Sequence, residues 1–375
     1  MKLVRIDSIP LRGKRVLLQI ELPPYNHPFS DYYVQECKES IDLLTERGAS
    51  ILIVPYLLHS SNPSISFEPY VAEFEKRIST PIQFCQKPED VNTNSESIQF
   101  LENLSTDATT LKNTIKLISN QIDLCVNDAF HSLVSYQTLM TSFAKLGPTY
   151  AGMKLFERID AVTDLQLGKP SPVGFIMGGQ DLVSTIAVLR KNLSRINTIM
   201  VGGIIGNTIL KGNALQMGSS VIDRSRQSEA FQIVERARLE ECHVELPVDH
   251  IVSDRISANK AKVKSVGREV TDGFMAVDLG NKTLSNYEKL IKKMQAVYMH
   301  GPLGASEVAD FQAGTIRLLK VLSKHSGRVI LSGEELCLIA VQNKLPFSLM
   351  FSDSQVIQQW LSGIELPALA TLEQS

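Results

Sequence analysis

Val173-Gly174-Phe175-Ile176-Met177-Gly178-Gly179 and, further along, Thr198-Ile199-Met200-Val201-Gly202-Gly203 set the architecture. Both runs are continuously apolar, and each ends in a pair of glycines. A strand with one wet face alternates apolar and polar residues, whereas a strand covered on both faces does not. The stretch between them has helical spacing, so the pair predicts strand, crossover helix and parallel strand. Similar runs stand on either side, at Val16–Glu21, Ser50–Pro55 and Asp123–Asn127, then at His243–Leu246, Ala296–Met299, Val329–Leu331 and Ser348–Phe351. Helical stretches separate them. Asp31 reads as the N-cap of a helix running to Arg47 and stopped by Gly48. Ser228 to Glu241 places Phe231, Val234 and Ala237 on one helix face. Alternating strand and helix predicts an α/β chain with doubly wound, mainly parallel sheets.

A chain of 375 residues suggests two or three domains at about 150 residues each. Met153–Leu165 reads as a helix, and Gly168-Lys169-Pro170-Ser171-Pro172 as a break. That predicts one α/β domain over 1–152, a connecting helix over 153–168 and a second α/β domain over 169–354. The polar stretch Gln86–Glu96 reads as a loop. Hydrophobic residues make up 43% and the formal net charge is −2, as in an ordinary globular protein. No basic excess points to nucleic acid, and no polybasic or long apolar run points to a membrane. Cys37, Cys85, Cys125, Cys242 and Cys337 are scattered without paired or metal-type spacing. Buried free thiols in a reducing, cytoplasmic setting are expected.

In such sheets ligands bind beyond the carboxyl ends of the strands. Those ends read Glu21-Leu22-Pro23, Pro55-Tyr56, Asn127-Asp128-Ala129-Phe130, Gly178-Gly179, Gly202-Gly203, His300-Gly301-Pro302-Leu303-Gly304 and Ser332-Gly333-Glu334. His59, His131 and His300 fall there too, but their spacing supports no metal or acid–base site. Ser132 and Ser135 have no visible base partner, so no nucleophile is expected. Tyr25, Tyr32 and Tyr33 suit either a contact patch or ordinary partial burial.

Taken in order, these segments resemble phosphoglycerate kinases. The similarity is carried by Leu11-Arg12-Gly13-Lys14-Arg15-Val16-Leu17, Leu101-Glu102-Asn103-Leu104, Val126-Asn127-Asp128-Ala129-Phe130 and Leu246-Pro247-Val248-Asp249. It continues through Asp278-Leu279-Gly280 with Lys282-Thr283, Gly301-Pro302-Leu303-Gly304, Phe311 with Gly314-Thr315, and Gly363-Ile364-Glu365-Leu366-Pro367-Ala368-Leu369. The resemblance implies two α/β domains facing a cleft, with residues 355–375 packing back on the first. It also implies an acyl phosphate site on the first domain and a magnesium nucleotide site on the second. The nucleotide residues it implies are Gly178, Gly179, Gly301 and Gly304, with Glu307 on the ribose and Glu334 in place of a magnesium-associated aspartate. ATP or ADP with magnesium is the cofactor such a site would take.

The chemistry-bearing positions depart from that pattern. Arginines bind phosphate and carboxylate through bidentate forks, yet the arginine positions hold Gln19, Tyr33, His59 and Ser105, and a His-Arg pair falls on Val134 and Ser135. The substrate-binding aspartate and asparagine positions are Glu21 and Pro23. Two lysine positions are Asp181 and Thr185, and an asparagine position is His300. A glycine-rich loop reads Leu331-Ser332-Gly333-Glu334-Glu335, and the last glycine turn reads Asp353-Ser354-Gln355. A charge-assisted hydrogen bond contributes about 1.5–3 kcal/mol, and one preorganised transition-state donor about 10²–10³ in rate. Losing several of each predicts a catalytically inactive, phosphoglycerate kinase-like monomer that binds a partner protein or a small molecule. The alternatives are a phosphotransferase of altered specificity, or a weakly active ATP:3-phosphoglycerate phosphotransferase of glycolysis.

Overall fold

The computed structural model describes residues 3–60, 62, 64–92, 98–102, 108–257 and 261–373. The chain divides into two units, Met1–Asp160 with Glu365–Ser375, and Ala161–Ile364.

The first unit contains β1 (Arg15–Leu22), β2 (Ser50–Leu57), β3 (Ile82–Cys85), β4 (Ile98–Leu101), β5 (Leu124–Asn127) and β6 (Thr149–Ala151). They form one parallel sheet in the order β3-β4-β2-β1-β5-β6. Its helices are α1 (Ser30–Glu46), α2 (Glu68–Ile78), α3 (Ala108–Ile118), α4 (Ser132–Ser135) and α5 (Gln137–Phe143), and α6 (Met153–Gln166) carries the boundary between the units. Central β1 pairs with β2 on one side and β5 on the other, and every residue from Val16 to Leu22 is buried. That is why its apolar run does not alternate, and it also takes two polar side chains, Gln19 and Glu21, out of solvent. Asp31 lies in the first turn of α1 and not at its cap, which is Phe29.

The chain from Glu365 belongs to this unit. Glu373 N–H donates to Thr149 O at 2.7 Å, and Val4 N–H donates to Glu373 O at 3.1 Å. Residues 355–364, expected to join that tail, do not. They begin with a helix, Gln355–Leu361, whose buried face of Val356, Ile357 and Leu361 packs within the second unit.

The second unit has a six-stranded sheet in the order β15-β14-β13-β7-β8-β9 and a three-stranded sheet in the order β11-β10-β12. The strands are β7 (Val173–Met177), β8 (Thr198–Val201), β9 (His243–Glu245), β10 (His250–Ser253), β11 (Val263–Val266), β12 (Met275–Leu279), β13 (Ala296–His300), β14 (Arg328–Ser332) and β15 (Met350–Phe351). The larger sheet is parallel throughout; the smaller is antiparallel. Flanking helices are α7 (Leu182–Asn192), α8 (Gly203–Gly212), α9 (Gln227–Leu239), α10 (Asn281–Ile291), α11 (Ala313–Leu322), α12 (Glu334–Gln342) and α13 (Gln355–Leu361). In α9 the buried face is Ala230, Ile233, Val234 and Ala237, whereas Phe231 is 38% exposed and lies off that face. The small sheet packs Val252 against a cluster of Leu210, Met217 and Val270.

All five cysteines are buried and unbridged. No helix among the described residues is long and apolar enough to cross a membrane.

Candidate functional site

At the carboxyl ends of β1, β2 and β5 the first unit gathers the side chains that stand where the sequence pattern calls for substrate arginines. Gln19 is buried, and its Oε1 accepts from the Tyr56 hydroxyl at 3.0 Å. Tyr33 is buried on α1, its hydroxyl 3.3 Å from His131 Nδ1, which removes it from any surface patch with Tyr25. His59 sits in the left-handed region at φ 56° and stacks on His27, ring centroids 5.1 Å apart. Val134 is half-buried and Ser135 exposed, while Ser105 and Asn103-Leu104 lie outside the described residues.

Around Glu21 the site is ionic but faces inward. Glu21 Oε1 lies 2.5 Å from His131 Nδ1 and 3.5 Å from Arg158 Nη1. Its Oε2 accepts from the Ser132 N–H and hydroxyl, each at 3.2 Å. Arg158 also reaches Glu36 at 2.9 Å and the Tyr32 hydroxyl at 3.3 Å. Burial pushes the Glu21 carboxyl up, but His131 and Arg158 outweigh it and hold the group below the usual carboxylate range. For Glu36 burial wins over Arg158 and Lys154, and its carboxyl is raised. Nearby, burial lifts Asp128 to about 6 although the Ser40 hydroxyl and the Leu155 N–H donate to it. Ser132 thus has a carboxylate partner that the sequence did not reveal, yet it is fully buried and out of a substrate's reach.

Asn127 and Phe130 serve the frame. Asn127 Oδ1 accepts from the Ala129 N–H at 2.9 Å, and Phe130 is buried. Sequence reading missed Glu36 and Arg158. The available signal was charge on packed helices: Lys154 and Arg158 four apart on α6, and Glu36 and Glu39 on α1, which meet as ion pairs.

In the second unit three of the six expected nucleotide residues line one groove, at the ends of β7, β8 and β13. Gly179, Gly304 and Glu307 line it with Gly203, Val277 and Leu303, and its internal volume is about 70 Å³. Small-molecule sites usually offer about 300–1,000 Å³. Gly178 and Gly301 pack against each other at its edge, and Glu334 does not line it. The glycines lie backbone against backbone. A Cβ on Gly178 would collide with Pro302 O, and one on Gly304 would stand 2.5 Å from Val277 O. Several N–H groups of this edge are engaged within the protein. Gly178 donates to His300 O, Gly179 to Pro302 O, Gly203 to Leu303 O, Gly301 to Ser332 O and Gly333 to Phe351 O, at 2.7–3.0 Å. A phosphate cradle needs such donors pointing at the ligand, and these point into the fold.

The polar residues of this edge are committed as well. Asp181 caps α7, accepting from the Ser184 N–H at 3.0 Å. His300 is buried, with Nε2 2.7 Å from Gln358 Nε2 and Nδ1 3.3 Å from Ser332 Oγ. The Gln358 amide nitrogen only donates, so His300 Nε2 accepts and Nδ1 carries the proton. Burial lowers this imidazole to about 4, with Asp181 opposing. Glu307 and Glu334 are both exposed. Glu335 accepts from the Ser306 hydroxyl at 2.5 Å, and Asp353 from the Gln355 N–H at 2.8 Å. Among the described residues no group of His, Cys, Asp and Glu is arranged to hold a metal ion.

Comparison with known proteins gives one answer throughout. The family model described as phosphoglycerate kinase matches residues 6–351. The chain is 30% identical over 362 residues to the phosphoglycerate kinase of Leptospira biflexa, covering 92% of this chain and 90% of that one. It is 25% identical over 398 residues to the phosphoglycerate kinase of Pseudothermotoga lettingae, covering 99% of each. Among solved structures, phosphoglycerate kinase from Coxiella burnetii shares the fold with a TM-score of 0.86 at 22% identity, covering 98% of both chains. The Pyrococcus horikoshii enzyme does so with a TM-score of 0.77 at 20% identity and the same coverage. An ordered match over nearly the whole sequence, on the same two α/β units, places this chain in the phosphoglycerate kinase family.

Proposed function

We propose that this phosphoglycerate kinase-like protein does not transfer phosphate between ATP and 3-phosphoglycerate, and acts by binding a partner protein or a ligand other than that acid. The observation that carries the reading is the pairing of Arg158 with Glu21 and Glu36 in a solvent-excluded network. An acyl phosphate site needs cations presented to the ligand, and each charge-assisted bond contributes about 1.5–3 kcal/mol. Here the guanidinium is already neutralised by two carboxylates, and Gln19 and Tyr33 bring no charge. The internally bonded glycine N–H groups of the second unit support the same reading.

The deciding experiment is a coupled assay with ATP, magnesium and 3-phosphoglycerate, run beside an authentic phosphoglycerate kinase. The expected result is no turnover above the enzyme-free background. Turnover within about a hundredfold of the control, the loss that a single missing donor causes, overturns the reading.

A further inference from the structure

On the outer helices of the second unit lies a groove of about 890 Å³. It is lined along α11 by Ala313, Ile316, Arg317, Lys320, Val321 and Lys324. These positions advance by three and four residues, so they form one stripe along the helix and the turn after it. Lys292, just past α10, forms the facing wall. Lys292 and Lys324 lie in the connections from α10 to β13 and from α11 to β14. The lysine-rich end of the groove therefore lies where strands begin, away from the glycine-lined ends described above.

Two features set it apart from an ordinary solvated helix face. The first is unbalanced charge. The groove's one carboxylate, Glu288, is held by Arg317 at 2.6 and 3.1 Å, and Arg317 is further fixed by Asn281 and Ser285. Lys292 acts on the same Glu288 carboxylate without a close contact, and Lys320 and Lys324 have no ion-pair partner among the described residues. The chain as a whole carries a net charge of −2, so this is a local concentration of positive charge. The second is an apolar floor, since half-buried Ile316 and Val321 line the groove among the cations and Ala313 adds exposed apolar surface.

We propose that this groove docks an acidic segment of a partner protein in which apolar residues interrupt the carboxylates. Lysines on the rim would meet the carboxylates, and Ile316 and Val321 the apolar residues, which is how electrostatic and apolar complementarity combine at interfaces. A nucleic acid fits less well. The groove lining contains no Phe, Tyr or Trp on which bases could stack, and phosphates leave the apolar floor uncovered. Lysines near helix carboxyl ends also favour the helix dipole, but that role needs neither a groove nor an apolar stripe. The inference is independent of whether the chain transfers phosphate, because none of these residues lines the glycine groove.

The test is fluorescence anisotropy on the full chain with a labelled synthetic peptide repeating Glu-Glu-Leu. Saturable binding is expected, weakening with salt. K320E/K324E should lower affinity about tenfold or more, and a peptide with serine replacing leucine should bind more weakly, both in keeping with mixed recognition. K320A/K324A, with thermal midpoints measured alongside, guards against misfolding of the charge-reversed chain. Absence of peptide binding overturns the proposal. So does unchanged binding in both folded variants, or a single-stranded oligonucleotide that binds more tightly than the peptide.

Discussion

In the first unit, His131 Nδ1 lies 2.5 Å from Glu21 Oε1, with both side chains out of solvent. Glu21 stands near the end of β1 and His131 follows β5, the neighbouring strand, so the contact ties the carboxyl ends of the two. The contact is buried at the edge where ligands of such sheets bind.

Breaking this network should destabilise the fold. E21Q removes a carboxylate shared by His131, Arg158 and Ser132 and should lower the unfolding free energy by about 3 kcal/mol, read by urea denaturation. Once Glu21 is neutralised, replacing Arg158 with Met should cost less than it does alone, because the two residues share one interaction. Costs that simply add would show that Glu21 and Arg158 stabilise the unit independently.

Restoring one lysine should not restore a phosphate site. Asp181→Lys removes the α7 cap, worth about 1 kcal/mol, and leaves the neighbouring glycine N–H groups bonded within the protein. A lower thermal midpoint with no stabilisation by magnesium-ATP is expected. A clear upward shift on adding magnesium-ATP would show that charge alone was missing.

Any residual nucleotide binding should favour adenosine or AMP over ADP and ATP. Glu307 lines the groove, whereas Asp181 and Asp353 put carboxylates where the sequence pattern has a lysine and a glycine turn. Thermal-shift titrations with all four ligands, with and without magnesium, give the ranking. Stabilisation by magnesium-ATP alone would reverse it.

The second unit should lose stability on acidification through His300. Its native pKa is lowered by burial to about 4, while the unfolded side chain titrates near 6.5. Between those values the unfolded state binds more protons, so the contribution is full above about 6.5 and is lost as pH falls to about 4. His250, also lowered to about 4 by burial, adds to the slope, and Asp278, raised to about 6 by burial, opposes it. His300→Gln should therefore flatten, but not abolish, the decline. Fluorescence of Trp360, the single tryptophan, follows unfolding of the helix that carries Gln358. An unchanged slope would mean that His300 is not neutral in the native state.

Much of the frame was legible in the sequence because strands buried on both faces announce themselves. The runs at Val16, Ser50, Asp123, Val173, Thr198, His243, Ala296, Val329 and Ser348 all contain strands. Residues Ile82–Cys85, Ile98–Leu101, Thr149–Ala151 and the small antiparallel sheet carried no such signal. Gln83 and Gln99 interrupt the first two, and in β11 Val263, Lys264 and Ser265 are exposed, so no continuous apolar run forms there. The absence of arginines could be read position by position. The buried ionic network beside those positions could not, because Glu21, Glu36, His131 and Arg158 are separated in sequence and only the fold brings them together. The break between Gln355–Leu361 and the returning tail was hidden for a similar reason: the helix is apolar enough to suit either unit.

The close approach of Gly178 to Pro302 separates two kinds of selection. A position with no room for a Cβ stays glycine for as long as the chain must fold. It therefore persists after any ligand it once served is gone. In a saturation-mutagenesis library, substitutions at Gly178 and Gly304 should be depleted through poor soluble yield, whatever biological readout is applied. Glu307, exposed and under no such packing demand, should vary unless a ligand still uses it. Glycine fingerprints thus date the architecture of a lineage, and the exposed residues around them date its chemistry.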